Sequence, residues 1–464
     1  MIAPVVGVTG IADTATPSTP PATSVLLPRI GTSVALTVAV MVSSAPSLLP
    51  RPAVTQALLT GVLMASALAV AWSARRAFGS PTPARPRLQA WSASAGTLMS
   101  IGSMTANVMW QNRLREAMDV GTVNWRYAAE VAAGAICVAV VLCGLGRAAT
   151  GFGCALGGGR TMILIAVAGL LSYSVAAPRV GSVIRNSFSA SNSVVDETMP
   201  APSSNARSGA PASLVPWRTL GREGRKFVSG GLDRSTVRVY VGLDSAPTLD
   251  RRVASAVADM DRAGAFQRSV VIVAIPTGSG WVDENAVTGA ERRFGGDVAT
   301  VAVQYSSAPS WATFLFAEDD ARSSADAVVR AVAERAASES TPPDIIVYGQ
   351  SLGAVAGSDA YLSIGRSNPG VCGAVWAGPP AGAVNTEGAT VLANSSDPVV
   401  RWSADLLWSP PNTSNTRPDA PMPMWLPIVG FVQTSVDLAA ALDVGAGHGH
   451  RYGTDQGTTM HRCR

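Results

Sequence analysis

The stretch that most constrains the fold is residues 344–354, DIIVYGQSLGA. It combines a short β-branched run, a turn and small helix-compatible residues, and Ser351 lies at the turn in G-x-S-x-G spacing. A strand-to-helix turn of this kind exposes the serine hydroxyl and aims the next backbone N–H at a developing oxyanion. Gly349 and Gly353 fit because a side chain at either position would crowd the turn or the strand–helix contact. The spacing alone is weak in a chain with 45 glycines. Its context predicts that Ser351 is a nucleophile rather than an incidental turn serine.

The acid of a triad is predicted downstream of the serine, because the order in such folds is serine, acid, histidine. Residues 390–394 read as the next-but-one strand, and Asp397 lies in the segment that leaves it, residues 395–400. Asp397 is therefore the predicted acid. The alternative is a turn former, since an Asp-Pro pair favours a turn. Three other aspartates are weaker candidates because none directly follows a strand-like run: Asp405, Asp437 and Asp443.

The base is predicted among the three histidines, all of which lie near the end of the chain. His448 and His450 are in a glycine-rich segment, residues 445–453, that can bring an imidazole to a serine. One of them is the predicted base, and the sequence favours His450 without deciding. A metal site built from His448, His450, His461 and Cys463 is the rival interpretation. It leaves the Ser351 turn unexplained and has no carboxylate shell, so neither a metal nor another cofactor is predicted.

A second glycine-rich turn supplies the rest of the site. Residues 269–275 form an apolar β run that ends in PTGSGW, residues 276–281. In this architecture the loop after the third strand donates the second oxyanion N–H. The predicted donors are therefore Leu352 together with Thr277 or Gly278. Phosphate binding is the alternative, but the chain has no lysine in Walker spacing and no G-x-G-x-x-G.

An ordered set of motifs extends over residues 217–464. Through this set the chain resembles the actinobacterial membrane-attached α/β-hydrolase family, whose members join an N-terminal multi-span region to a C-terminal hydrolase domain. The resemblance implies a serine hydrolase and leaves the substrate open. The segments that carry it are 221–228, 237–243, 264–266, 276–281, 304–306, 349–353, 376–380, 394–398 and 447–452.

The predicted organisation is a disordered segment at 1–27, a multi-span region at 28–181, a linker at 182–216 and an α/β-hydrolase domain at 217–464. We expect a mostly parallel, doubly wound sheet in the last of these, because strands alternate with helical stretches. An α-helical membrane bundle is expected before it, with four or five spans. The alternative is a set of buried soluble helices. The apolar stretches are 30–49, 54–74, 88–110, 127–146 and 162–177, the last being the shortest.

Arginine placement predicts the orientation of this bundle. The loop after the second span carries Arg75, Arg76, Arg85 and Arg87, which favours the cytoplasmic side. Five spans then place the hydrolase domain outside the membrane, where Cys372 and Cys463 could form a disulfide. The arginines at 113, 115 and 126 argue for the opposite orientation.

The predicted function is that of a multi-pass, membrane-anchored serine hydrolase acting on a lipidic or cell-envelope ester, with membrane lipids as its partners. An acyltransferase using the same acyl-enzyme is one alternative. A non-catalytic transport or assembly protein is another. The net charge of +4 and the lack of a basic stripe with interleaved aromatics predict no nucleic-acid partner. The sequence does not predict an oligomeric state.

Overall fold

Four N-terminal helices precede a parallel sheet in the computed structural model, which describes residues 27–79, 85–156, 192–194, 196, 198–231, 233–308, 318–365 and 367–462. These helices are α1 (Ile30–Ser43), α2 (Ala53–Phe78), α3 (Pro86–Ala117) and α4 (Trp125–Leu156). Helices α2 and α4 pack closely through small residues. A Cβ on Gly61 would lie 2.6 Å from Cβ of Val138, and a Cβ on Gly134 would lie 2.8 Å from Ala57. Glycine at such positions lets two helix backbones approach each other, in lipid as in water.

Two helices in the described residues are long and apolar enough to cross a membrane, α2 and the part of α4 from Trp125 to Phe152. The predicted first span, 30–49, is wrong as a continuous helix, because α1 ends at Ser43 and is 14 residues long. The predicted third span lies inside α3, which does not meet the same test. The fifth, 162–177, lies outside the described residues. The prediction of four or five spans is thus reduced to two candidates, and a membrane bundle remains a proposal.

The C-terminal part is built on a six-stranded sheet with the order β1-β3-β2-β4-β5-β6. Each neighbouring pair is parallel, which confirms the predicted parallel sheet. Its strands are β1 (Val237–Val241), β2 (Val270–Ile275), β3 (Val298–Val303), β4 (Asp344–Gln350), β5 (Val371–Ala377) and β6 (Ala389–Leu392). Strands β1, β2 and β3 are rich in valine and isoleucine and are buried throughout, as expected when both faces are covered. The edge strand β6 is half-buried.

Helices cover both faces of this sheet. Ala274 of β2 faces Ala286, whereas the next residue, Ile275, faces Gly357. Because successive side chains of a strand point to opposite faces, the helices that carry Ala286 and Gly357 lie on opposite sides. The helices of this part are α5 (Gly221–Ser229), α6 (Leu249–Ala263), α7 (Glu284–Arg293), α8 (Glu318–Ala336), α9 (Leu352–Gly365), α10 (Pro398–Arg401), α11 (Val429–Asp437) and α12 (Asp455–Thr458).

The helical part and the sheet part meet where α1 is connected to α2. Leu48, Leu49, Leu114 and Met118 form a small buried cluster with Val444, which comes from the segment just before the histidine loop. The N-terminal helices therefore contact the same region of chain that carries the predicted base. Cys372 in β5 is disulfide-bonded. Its predicted partner, Cys463, lies outside the described residues.

Candidate active site

Ser351 occupies a sharp turn between β4 and α9 and has a φ of 55°. Non-glycine residues seldom adopt a positive φ, and holding one there costs about 1–3 kcal/mol. The flanking glycines are sterically required, as the sequence predicted. A Cβ on Gly349 would lie 2.3 Å from the Gly353 carbonyl oxygen, and a Cβ on Gly353 would lie 2.3 Å from the Ile275 carbonyl oxygen. The turn is thus wedged between β2 and α9, with Ser351 at its apex.

Asp397 and His450 are in direct contact, although they lie far apart in the chain. The Asp397 Oδ2 atom is 2.7 Å from His450 Nδ1. Asp397 is fully buried, and His450 is 6% exposed. An ionised carboxylate at this distance favours the tautomer in which Nδ1 carries the proton, which leaves Nε2 as the proton acceptor. This is the arrangement that a general base requires.

The His450 ring lies beside the end of β5, the strand to which the backbone of Ser351 is hydrogen-bonded. The Ser351 N–H donates to the Ala377 carbonyl at 3.0 Å. A Cβ on the next residue, Gly378, would lie 2.7 Å from His450 Cε1. Gly378 also has a φ of 55°, so its lack of a side chain serves both the backbone turn and the imidazole. The ends of β4 and β5 therefore bring the serine and the histidine to one edge of the sheet.

Tyr452 and Gln350 complete the surroundings of the pair. The Tyr452 hydroxyl donates to Asp397 Oδ2 at 2.7 Å. Burial, and then the negative charge of Asp397, raise the pKa of the Tyr452 phenol well above its ordinary value, so the phenol keeps its proton. The Gln350 side-chain amide donates to the His450 carbonyl at 3.0 Å. The residue preceding the serine thus holds the backbone of the histidine.

Of the two oxyanion donors predicted in the loop after β2, Gly278 keeps an N–H that no described residue uses, and Thr277 does not. The Thr277 N–H donates to the Trp281 carbonyl at 2.9 Å, so it is already used inside the turn. The neighbouring Gly278 N–H has no acceptor within the described part of the chain. Leu352 is the first residue of α9, and N–H groups in a first helical turn lack an intrahelical acceptor. Of the predicted donors, the geometry favours Leu352 and Gly278 over Thr277.

His448 belongs to a different network from His450. Its Nδ1 atom is 3.3 Å from Asp419 Oδ2. Asp419 also accepts hydrogen bonds from the Ser395 hydroxyl and the Ser396 N–H, both at 2.9 Å. His448 and Asp419 therefore brace the loop that carries Asp397. Two of the three histidines of the rival metal interpretation, His448 and His450, face separate carboxylates. Its Cys463 lies outside the described residues.

Comparison with family models gives two matches that together extend over most of the chain. The model described as "Alpha/beta-hydrolase family" matches residues 237–390 and 385–462. The model described as "Alpha/beta-hydrolase family N-terminus" matches residues 45–231. The chain belongs to this α/β-hydrolase family. Searches of the curated proteins and of the solved structures gave no significant match.

Three contributors to this α/β-hydrolase site were missed by the sequence reasoning: Gln350, Tyr452 and Asp419. Gln350 is the variable residue before the serine in the motif, and its spacing gives no hint of a bond to the histidine loop. Tyr452 lies two residues beyond His450, so the sequence already indicated that its side chain is close to the predicted base. Asp419 gave no signal, because it follows neither a strand nor a recognisable turn motif.

Proposed function

We propose that this protein is a membrane-anchored serine hydrolase that cleaves a lipidic or cell-envelope ester through an acyl-enzyme. The observation that carries the proposal is the buried Asp397–His450 pair beside the strained Ser351 turn. Family membership supports a hydrolase-like fold but specifies neither the triad nor the ester.

The proposed reaction has two halves. In the first, Ser351 Oγ attacks the ester carbonyl while His450 Nε2 takes the hydroxyl proton, and Asp397 stabilises the resulting imidazolium. The N–H groups of Leu352 and Gly278 stabilise the oxyanion. The alcohol leaves with the proton from His450, and the acyl group stays on Ser351. In the second half, His450 activates water, which releases the carboxylic acid and restores the serine.

The lipidic substrate and the membrane anchorage are supported by α2 and α4, whose apolar outer surfaces suit a hydrocarbon environment. Helix α2 has 26 residues. At 1.5 Å rise per residue, Arg75 and Arg76 lie about 35 Å along its axis from its start, where the hydrolase part docks. This separation supports placing the hydrolase domain on the side of the membrane opposite to these arginines.

Labelling with a fluorophosphonate probe tests the nucleophile. We expect Ser351→Ala to abolish labelling and to lower ester hydrolysis about 10³-fold or more, because only an apical hydroxyl is removed. Ser363→Ala is the matched control, since Ser363 is an exposed serine on α9, the helix that follows Ser351. Labelling of Ser351→Ala at the wild-type level would refute the assignment. A wild-type protein that takes no label would favour a non-catalytic role.

A further inference from the structure

An exposed apolar loop lies between the predicted acid and base. Residues 420–428 read APMPMWLPI, and the whole stretch 420–436 contains no Asp, Glu, Lys or Arg. Met424 is 81% exposed and Ile428 is 53% exposed. Nearby Trp408 is 71% exposed. A cluster of large apolar side chains on a surface marks a contact with a partner or with lipid.

This apolar loop is held in place rather than loosely attached. The Trp425 indole N–H donates to the Leu406 carbonyl at 3.0 Å. The Ile428 N–H donates to the Leu407 carbonyl at 3.1 Å. Both acceptors belong to a short 3₁₀ helix at residues 404–407. The apolar side chains are therefore presented on a fixed backbone.

The position of the apolar loop points to its partner. Met424, Trp425 and Leu426 line a shallow groove together with Pro46 and Leu48, from the connection between α1 and α2. The groove has a cavity volume of about 30 Å³, room for one water rather than for a ligand. The apolar surface therefore faces outward, beside the first residues of a helix that is apolar enough to cross a membrane. On that helix, Val54 is 71% exposed and Leu58 is 50% exposed.

We propose that the apolar loop inserts into the interfacial layer of the bilayer and seats the hydrolase domain on the membrane surface. The inference rests on the membrane anchorage proposed above and extends it to the catalytic domain. Three prolines, at 421, 423 and 427, suit this role because they carry no N–H that lipid would leave unpaired. The absence of charge favours lipid over a polar protein surface. A site seated in this way takes esters of bilayer lipids in preference to freely soluble esters.

Photo-crosslinking tests the proposal directly. Full-length protein carrying p-benzoylphenylalanine in place of Met424 is reconstituted in nanodiscs of phosphatidylcholine and phosphatidylglycerol that contain a radiolabelled phospholipid. We expect a protein–lipid adduct on irradiation. The matched control places the same residue at Leu214, which is 59% exposed. The Leu214 N–H donates to Asp259 of α6, the helix that packs against β1 at the opposite edge of the sheet. Lipid labelling at 424 no greater than at 214 would overturn the proposal, as would a crosslink to a second copy of the chain.

An activity comparison supplies the second measurement. We expect Met424→Glu/Leu426→Glu to lower hydrolysis of a long-chain ester in the bilayer about tenfold relative to a water-soluble short-chain ester, because charges oppose insertion. An unchanged ratio of bilayer-ester to soluble-ester hydrolysis would count against insertion of the apolar loop into the membrane. Fluorophosphonate labelling of Ser351 in the same samples keeps the two proposals distinct. If wild-type Ser351 takes no label while the lipid adduct forms, the hydrolase function fails and the membrane contact stands.

Discussion

At the scale of single residues, the site depends on a carboxylate whose hydrogen bonds are all supplied by the protein. Asp397 Oδ1 accepts the Val399 N–H at 2.8 Å, so the aspartate also caps α10. Its Oδ2 receives Tyr452 and faces His450. A buried charge is costly unless it is paired and hydrogen-bonded. These three partners compensate the burial of the Asp397 carboxyl group and allow it to fix the imidazole in one orientation.

The two histidines provide a paired prediction at this scale. We expect His450→Ala to reduce kcat about 10³-fold or more, because the serine then has no proton acceptor. His448→Ala should have a much smaller effect, since His448 contacts Asp419 and braces the loop of Asp397 from outside. Single-turnover hydrolysis of a short-chain ester measures both variants. A severe loss in His448→Ala with a mild loss in His450→Ala would mean that the roles are reversed.

At the scale of elements, a buried ion pair joins the N-terminal helices to the segment that precedes the histidine loop. Arg51 Nε is 2.8 Å from Asp437 Oδ1 at the end of α11, and both residues are fully buried. The Leu48 N–H donates to Asp437 Oδ2 at 2.8 Å, and Arg51 also donates to Gln433. Four residues after Asp437, the Ala441 carbonyl accepts the His450 N–H. The N-terminal helices thus hold the segment that begins at Asp437, and this segment binds the backbone of His450, the predicted base.

Removal of Arg51 tests this junction between the N-terminal helices and α11. Arg51→Ala should destabilise the protein by about 3–5 kcal/mol, because Asp437 is left buried without its partner. Arg113→Ala is the control, since Arg113 is an exposed arginine at the same end of the helices. Asp437→Ala combined with Arg51→Ala should recover part of the loss. Thermal unfolding of the purified protein in detergent measures all three, and equal stability of the two single arginine variants would contradict the argument.

The effect of pH on Arg51→Ala has a defined sign. Burial raises the pKa of Asp437, and the charge of Arg51 opposes that rise. Without Arg51, Asp437 binds a proton more readily in the folded state than in the unfolded chain. The stability of the variant therefore falls as the pH rises from the ordinary pKa of an aspartate through the raised pKa of Asp437. The loss of folding stability in Arg51→Ala, relative to wild type, should therefore be larger at neutral pH than at mildly acidic pH.

At the scale of the whole molecule, the hydrolase part docks at one end of the helices and the arginines of residues 75–87 lie towards the other. The contacts at the docking end are buried and specific, as Arg51 and Asp437 show. With α2 as a span, this arrangement separates the hydrolase domain and the arginines of residues 75–87 by the thickness of a bilayer. The proposal that the domain is extracytoplasmic follows from this separation and the positive-inside rule.

Reporter fusions test this orientation. We expect alkaline phosphatase fused after Arg464 to be active and green fluorescent protein at the same point to be dark. Fusions after Phe78, at the far end of α2, should give the opposite pattern and serve as the internal control. If both positions report the cytoplasm, the orientation is wrong and the substrate would be sought among lipids of the cytoplasmic leaflet.

Several strands and the turn that bears Ser351 could be predicted from the amino-acid sequence. Strands β2 and β4 were predicted to within a few residues, because their β-branched runs and flanking glycines are local signals. The position of Asp397 after β6 followed from chain order, and the crowding at Gly349 and Gly353 followed from backbone sterics. These features require only short-range information, which a sequence carries directly.

Features that depend on contacts between distant parts of the chain became visible in the folded structure alone. His448 and His450 are two residues apart in a repeated glycine context, and the structure distinguishes them by the carboxylate that each one faces. The Thr277 N–H is used by the Trp281 carbonyl inside a turn, and the residue spacing of the sequence does not reveal that turn. Helix α1 ends at Ser43, short of the end of the apolar run, and the following residues turn to meet Asp437, nearly four hundred positions away. Hydropathy reports how apolar a stretch is, whereas a helix ends where the chain finds better partners for its backbone and side chains.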